Sequence, residues 1–316
     1  LFAQRYMVYD ADGSVRFEFP WTKKAPQEDA ADDGTNGGET KQDELEITVE
    51  KPVIKDTRAV ALADDALGDG WEDALAALDD SVNAVAVRLK DDGGRLLYDS
   101  AVRGAIDCGA VEGGSAARSA IEGLIASKYY TIGRISTLHD SIYAYAHMTD
   151  AAVCQQSGLV WYDTNSTHWL APEKQAAREY VTEIVTECAQ MGFDELLLED
   201  FQYPRDGRMS RIKTDERTMT QQEALSLLSG ELRTILKAAN YEGKLSVRVD
   251  ADIVLAGSEE RTGIVMSEYV KDFDRVYVPV TAENLDAVTE AMKDYDVEFV
   301  PILAEAAGSG SYLVEK

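Results

Sequence analysis

Apolar, β-rich runs alternate with amphipathic helical stretches from about residue 52 to the end of the 316-residue chain. Such alternation predicts a parallel sheet, because parallel strands are joined by crossovers that usually contain a helix. Seven to eight strand-helix units over ~260 residues favour a closed (β/α)8 TIM-type barrel over an open sheet, with an incomplete or irregular last unit because little chain remains for it. The predicted strands span residues 58–63, 84–90, 130–136, 195–200, 245–253, 275–280 and 298–303, with a weak eighth at 312–314.

Amphipathic helices are predicted between these strands. The clearest covers residues 172–191, where Pro172 suits the first turn, an apolar stripe follows the helical period, and Gly192 suits the end. The other predicted helices lie at 71–78, 116–127, 220–240, 265–271 and 282–293.

The first 51 residues differ in character from the rest of the chain. Residues 1–25 contain two alternating apolar runs around an Asp-Gly pair, which predicts a β-hairpin appendage. Between Pro26 and Glu50 there are nine acidic residues and one Lys, and such a segment buries too little apolar surface to offset its ordering entropy. We therefore expect a flexible acidic linker over 26–51 and a barrel domain over 52–316.

The charge of the chain bears on its partners. With 31 Lys+Arg against 58 Asp+Glu, the formal charge is −27, which argues against binding nucleic acid or an anionic lipid surface. No run approaches the ~20 consecutive apolar residues that span a bilayer, so we expect no direct membrane insertion of this segment. Because the sequence begins at Leu1, it is compatible with an upstream signal or anchor. The expected location is extracytoplasmic, at the cell surface or secreted.

Cofactor and metal motifs are not evident in the sequence. The glycines lack the spacing of a phosphate-binding loop, so we expect no nucleotide cofactor. The three histidines, at 139, 147 and 168, do not form an i, i+4 pair with a nearby third ligand, and we expect no metal site.

Carboxylates follow several predicted strands, on the face where barrel enzymes keep their active sites. Side-chain alternation along a strand would point Asp250 and Asp252 to one side, and Glu199 and Asp200 to opposite sides. Glu305 follows the seventh strand. Ionised carboxylates at the ends of apolar strands are costly unless they are solvated, paired or used in chemistry. Pairing with strand arginines at 88, 134 and 248 is the structural alternative to a catalytic role.

A long loop of about thirty-five residues separates the third strand from the helix at 172. At the carboxyl ends of barrel strands such a loop is typical of a substrate wall. Aromatic and amide side chains in and near it could form a platform on which sugar rings stack: Trp161, Tyr162, Asn165, His168, Trp169, Phe201 and Tyr203.

Four blocks of sequence resemble motifs of the glycoside hydrolase-like family DUF4015, and they follow one another along the chain in the same order as in that family. They are GFDELLLEDFQYP at 192–204, NAVAVRLKDDG at 83–93, IGRI at 132–135 with Asp140 beyond it, and WYDTN at 161–165. The resemblance covers roughly residues 55 to 305 and implies a TIM-type barrel with a carbohydrate-directed cleft. The chain departs from the family pattern at Glu199, where the family has Asp, at Gln202, where it has Arg, and at His139, where it has Lys.

Two hypotheses follow. In the first, the protein is a glycoside hydrolase acting on a bacterial or gut polysaccharide, with Glu199 as nucleophile or base and Asp250 or Glu305 as proton donor. In the second, it is a catalytically inactive barrel that serves as a cell-envelope glycan-binding or scaffolding module. In either case the expected partner is carbohydrate. Substrate contacts are predicted at Asp91, Arg134, His139, Asp140, Trp161, Asp163, Asn165, Asp200, Tyr203 and Asp252.

Overall fold

The computed structural model describes residues 7–9, 15–17, 54–215 and 217–315. Near the N-terminus, β1 (Met7–Tyr9) pairs antiparallel with β2 (Val15–Phe17), as the hairpin prediction requires. The predicted linker at 26–51 lies outside the described residues. The domain boundaries at 25 and 51 therefore stay predictions.

Eight parallel strands form a closed barrel, which confirms the predicted fold class, and a strand lies in each of the eight predicted segments. Each strand hydrogen-bonds to its neighbours in chain order, and the last pairs with the first. A short antiparallel pair of strands, β8 (Ser258–Glu259) and β9 (Ile264–Val265), lies outside the barrel. The strands are β3 (Arg58–Ala61), β4 (Ala84–Lys90), β5 (Tyr130–Ser136), β6 (Glu195–Glu199), β7 (Lys244–Arg248), β8 (Ser258–Glu259), β9 (Ile264–Val265), β10 (Arg275–Pro279), β11 (Glu298–Leu303) and β12 (Tyr312–Val314).

The eighth strand is short but completes the barrel. In β12, Leu313 lies opposite Ile302 of β11, and Tyr312 lies opposite Arg58 of β3. The connection from β11 to β12, residues 304–311, contains no helix. The last unit is therefore irregular, as the short remaining chain led us to expect, and the barrel closes without its helix.

Helices cover the outside of the barrel. The predicted helix at 172–191 is observed at Gln175–Gln190, and Gly192 follows it with a positive φ of 95°. None of the described helices is both long enough and apolar enough to cross a membrane. The α-helices are α1 (Trp71–Ala76), α2 (Arg103–Cys108), α3 (Ser115–Ala126), α4 (Ser141–Ala146), α5 (Gln175–Gln190), α6 (Gln221–Ala238), α7 (Ala251–Ala256), α8 (Met266–Tyr269) and α9 (Leu285–Met292).

Small side chains of β3 and β4 pack with larger apolar side chains in the barrel interior. Ala59, Ala84 and Ala86 point inward and pack with Leu197 and Tyr277. A barrel of eight strands has room for little more than its own side chains, so its interior is a packed core. Any cleft large enough for a ligand must therefore lie at an end of the strands.

One predicted strand is too long. The run 245–253 was expected to be extended throughout, but β7 ends at Arg248 and α7 begins at Ala251. Val249, Ile253 and Val254 are buried, so apolar residues continue from the strand into the first turns of the helix. The apolar run hid this boundary, and the alternation argument for Asp250 and Asp252 fails with it.

Candidate active site

A polar cleft of about 280 Å³ opens at the carboxyl ends of the barrel strands. Its walls come from the ends of β4, β5, β6 and β7 and from the residue that follows β12. This is the face on which barrel enzymes build their active sites. The lining side chains are Arg88, Lys90, Asp91, Asp92, Arg134, Ser136, Glu199, Asp200, Arg248, Asp250 and Glu315.

Glu199, the last residue of β6, is buried and paired with two arginines. Its Oε1 accepts from Nη2 of Arg134 at 2.8 Å and from Nε at 3.2 Å, and it also accepts from Nη1 of Arg248 at 3.2 Å. Among the described residues, no hydrogen bond is found to Oε2 of Glu199. The arginine pairing considered from sequence is therefore present, but it occupies one carboxylate oxygen and leaves the other to the cleft.

Glu315 closes a ring of four charges. Its carboxylate pairs with Nη2 of Arg134 and, at 2.9 Å, with Nη1 of Arg248, the same nitrogens that contact Glu199. Burial would raise the pKa of Glu315, but the charges of the two arginines outweigh it and hold that pKa below its ordinary value. Sequence reasoning missed Glu315. Its position directly after the weakest predicted strand was the available signal.

Asp200 lies in the same cleft as Glu199 because the backbone bends between them. Asp200 has a φ of 51°, the left-handed region, so the alternation that would send adjacent side chains to opposite faces is broken. Its Oδ2 lies 2.6 Å from the hydroxyl of Ser136, the last residue of β5. Burial raises the pKa of Asp200, and the nearby carboxylates of Glu199 and Asp92 add to the rise.

Asp250 and Asp252 share one arginine on the side of the cleft. Asp250 precedes α7 as its N-cap residue, and Asp252 lies in the first turn. Arg205 contacts Asp250 at 2.9 Å and Asp252 at 2.6 Å. Asp250 lines the cleft, whereas Asp252 is exposed and outside its lining. The two carboxylates are thus arranged by a helix start and a shared cation rather than by strand alternation.

Glu305, the second predicted proton donor, does not reach the cleft. It lies in the helix-free connection after β11, and its side chain is exposed. The extended strand ends at Leu303, two residues earlier. The prediction placed Glu305 on the active face from its position alone, and the structure puts it outside the cleft lining.

The wall after β4 contains a buried ion pair. Nζ of Lys90 lies 2.9 Å from Oδ2 of Asp140, and it also donates to the backbone carbonyl of Ser136 at 2.9 Å. Asp140 in turn caps α4 through its Oδ1, which accepts from the N–H of Tyr143 at 2.7 Å. Asp140, predicted as a substrate contact, is fully buried outside the cleft lining, and its ion pair holds Lys90 at the cleft.

His139 and Asp163 belong to a buried network beside the cleft. Thr167 donates its hydroxyl hydrogen to Oδ2 of Asp163 at 2.6 Å, so its oxygen accepts from Nε2 of His139 at 2.6 Å. The His139 ring stacks on Trp169 with centroids 4.2 Å apart. Burial would raise the pKa of Asp163, but hydrogen bonds from Thr167 and Trp169 lower it below its ordinary value. Asn165 is exposed and donates its backbone N–H to Asp163 at 2.9 Å.

Most of the predicted aromatic platform is core. Trp161, Trp169, Phe201 and Tyr203 are all buried. Nε1 of Trp161 donates to the carbonyl of Arg208 at 3.1 Å, and the hydroxyl of Tyr203 bonds to Glu173. Trp161 and Tyr203, which the sequence predicted as substrate contacts, are therefore core residues outside the cleft lining, because these large aromatic side chains pack inward.

The described residues contain no group of three or more His, Cys, Asp or Glu side chains arranged to hold a metal ion. Of the substrate-contact residues predicted from sequence, Asp91, Arg134 and Asp200 line the cleft. Sequence reasoning missed Lys90, Asp92 and Ser136, although Lys90 and Asp92 flank Asp91 directly.

Comparison with solved structures supports the barrel fold. A hypothetical protein from Ruminiclostridium thermocellum ATCC 27405 matches 60% of this chain and 96% of its own, with a TM-score of 0.51 and 21% identity. A Kfla1895 variant bound to cyclobis-(1->6)-alpha-nigerosyl matches 82% of this chain and 42% of its own, with a TM-score of 0.51 and 14% identity. A protein described as a "Family GH13_31 enzyme" matches 82% of this chain and 65% of its own, with a TM-score of 0.50 and 11% identity. At these identities the matches show the fold alone.

A search of the curated proteins finds no match to this chain. The family model DUF4015, described as "Putative glycosyl hydrolase domain", matches residues 69–277, well over half of the chain. The matched region contains most of the cleft walls, those at the ends of β4 to β7. The chain therefore belongs to the DUF4015 family of glycosyl hydrolase-like domains.

Proposed function

We propose that the protein hydrolyses a glycosidic bond of a bacterial or gut polysaccharide in the cleft at the carboxyl ends of its strands. The observation that carries this proposal is that Glu199 and Asp200 line one cleft in different electrostatic environments. Glycoside hydrolysis needs two carboxyl groups, one ionised as base or nucleophile and one protonated as acid. Pairs of acids whose surroundings separate their protonation states can fill these two roles.

Glu199 suits the ionised role. The ion pairs with Arg134 and Arg248 hold its Oε1, and Oε2 has no hydrogen bond among the described residues. A carboxylate fixed through one oxygen keeps the other oriented toward a bound sugar or a water molecule. Fixed orientation of this kind supplies much of the rate advantage of an enzyme over free reactants.

Asp200 suits the protonated role. Burial raises its pKa, and the carboxylates of Glu199 and Asp92 nearby favour its neutral form further. Asp250, the donor considered from sequence, is held instead in an ion pair with Arg205.

A catalytically inactive glycan-binding module is the second candidate, and one observation favours it. The ring formed by Glu199, Arg134, Glu315 and Arg248 is a closed set of ion pairs of the kind that structural charge networks also form. In that case the cleft would hold a sugar without cleaving it, and the domain would act as a scaffold at the cell envelope.

An assay for the release of new reducing ends from a panel of glycans distinguishes hydrolysis from binding alone. The panel comprises maltooligosaccharides, cellooligosaccharides, chitosan oligosaccharides, oligogalacturonides and purified bacterial surface polysaccharides. The wild type should cleave at least one of them, and Glu199→Gln should be slower by about 10²-fold or more, the usual contribution of a catalytic base. Glu305→Gln makes the same chemical change outside the cleft lining and should retain activity.

Two results would count against hydrolysis. If Glu199→Gln matches the wild type, Glu199 has no catalytic role. If every substrate is left intact while calorimetry detects binding of a panel glycan, the protein is the binding module.

A further inference from the structure

A second concave surface lies beside the cleft. It has a volume of about 580 Å³ and is lined in part by Ser141, Tyr145, Ser166 and His168. The N–H of Ser141 donates to the carbonyl of Gly93 at 3.1 Å, and Gly93 directly follows two aspartates of the cleft lining. The two hollows therefore share a wall built from the loop after β4 and the start of α4.

Tyr145 is presented at this surface by an anchored helix. Its side chain is 67% exposed, the highest value among the large hydrophobic residues exposed in the described part of the chain. On the same short helix, Tyr143 stacks on Tyr180 with ring centroids 3.6 Å apart, and Asp140 caps the first turn. The helix is thus fixed to the protein through its buried side, while the Tyr145 ring faces outward.

His168 and Ser141 add hydrogen-bonding groups next to the Tyr145 ring. Nδ1 of His168 lies 2.8 Å from the carbonyl of Trp161, and because a carbonyl only accepts, Nδ1 carries the hydrogen. In the neutral ring, Nε2 is then an acceptor, and no partner for it is found among the described residues. The Ser141 hydroxyl accepts from the backbone N–H of His168 at 2.9 Å and so keeps its own hydrogen to donate.

We propose that this hollow is a subsite for a sugar ring of the same glycan chain that enters the cleft. The proposal rests on the function proposed above. A pyranose ring has an apolar C–H face and a rim of hydroxyls, and it matches an exposed aromatic face flanked by one acceptor and one donor. Tyr145 stacks on the ring, and His168 and Ser141 bind its hydroxyls. The platform expected from the long loop is thereby supplied by a residue that sequence reasoning did not single out.

Calorimetric titration with sugars of increasing length tests the subsite. The probes are the maltooligosaccharides, cellooligosaccharides, chitosan oligosaccharides and oligogalacturonides of the activity panel, each from two to six units. The protein carries Glu199→Gln throughout, so that bound sugar is not turned over. Adding Tyr145→Ala should weaken binding of the longer members by about tenfold or more and that of disaccharides by less than about twofold, because only longer chains reach both hollows. Tyr145→Phe should bind as tightly as the parent, since stacking requires the ring and not the hydroxyl.

Leu159→Ala removes a similarly exposed apolar side chain of the same loop and should leave binding unchanged. Equal binding by Tyr145→Ala and the parent at every length would overturn the subsite, and so would an equal loss at every length, which would indicate a structural effect. Both outcomes leave hydrolysis by the wild type intact and with it the proposed function. Absence of binding to any probe would overturn the subsite outright.

Discussion

The ring of charges around Glu199 makes a quantitative prediction about stability. Arg134 is almost completely buried and pairs with both Glu199 and Glu315. Replacing it with Met keeps much of the volume but leaves two partly buried carboxylates to share Arg248. Breaking a buried pair by removing one partner costs about 3–5 kcal/mol. Because Arg248 still compensates part of the charge, we expect a loss near the lower end, about 3 kcal/mol.

Urea unfolding followed by tryptophan fluorescence measures this loss. With a slope of about 3 kcal/mol per molar urea for a domain of this size, the midpoint should fall by about 1 M. Adding Glu199→Gln to Arg134→Met should recover part of the loss, because one uncompensated charge is then removed. Arg95→Met is the matched control, since Arg95 is exposed and its partners are the exposed Glu112 and, at 4.0 Å, Asp91; its cost should be at most ~0.5 kcal/mol. A midpoint for Arg134→Met equal to that of the Arg95 control would refute the reasoning.

Three further predictions follow from individual side chains. The pKa of Glu315 is lowered in the folded protein, so the ionised side chain stabilises the fold fully above the ordinary value of 4.5, and this stabilisation is lost as the pH falls through the folded pKa. Glu315→Gln should therefore flatten the acid limb of a plot of unfolding free energy against pH. The raised pKa of Asp200 predicts that hydrolysis falls as the pH rises through it, and Asp200→Asn should abolish that limb together with most of the activity in a pH–rate profile. Gly94 has a φ of 101°, and a Cβ at this position would lie 2.2 Å from Oδ1 of Asp140. Gly109 also has a positive φ, but it has open space around it. Gly94→Ala should therefore lower the melting temperature markedly more than Gly109→Ala.

The strands of the barrel were readable from the sequence because each one is a short apolar run between helical stretches. Even the three-residue β12 was recognised, and its pairing with β11 and β3 is what closes the barrel. The boundary of β7 was not readable. Buried residues continue past Arg248 into α7, and burial alone does not distinguish an extended residue from the start of a helix.

The candidate site was only partly predictable, for two physical reasons. Alternation assumes an extended backbone, and the left-handed φ of Asp200 brings it into the same cleft as Glu199. Aromatic content does not reveal direction, and Trp161 packs inward while Tyr145 is exposed. Glu315 reaches Arg134 and Arg248 only because the barrel closes and brings the end of the described chain beside β5 and β7.

The most direct test of the account is chemical rescue of Glu199→Ala on a polysaccharide that the wild type cleaves. Removing the carboxylate leaves the guanidinium groups of Arg134 and Arg248 facing a space large enough for a small anion. We expect Glu199→Ala to lose hydrolysis and added sodium formate to restore part of it, because formate places a carboxylate between the two arginines. Undiminished hydrolysis by Glu199→Ala would contradict the proposed catalytic role of Glu199. So would a Glu199→Ala protein that stays inactive in formate while Asp200→Asn remains fully active.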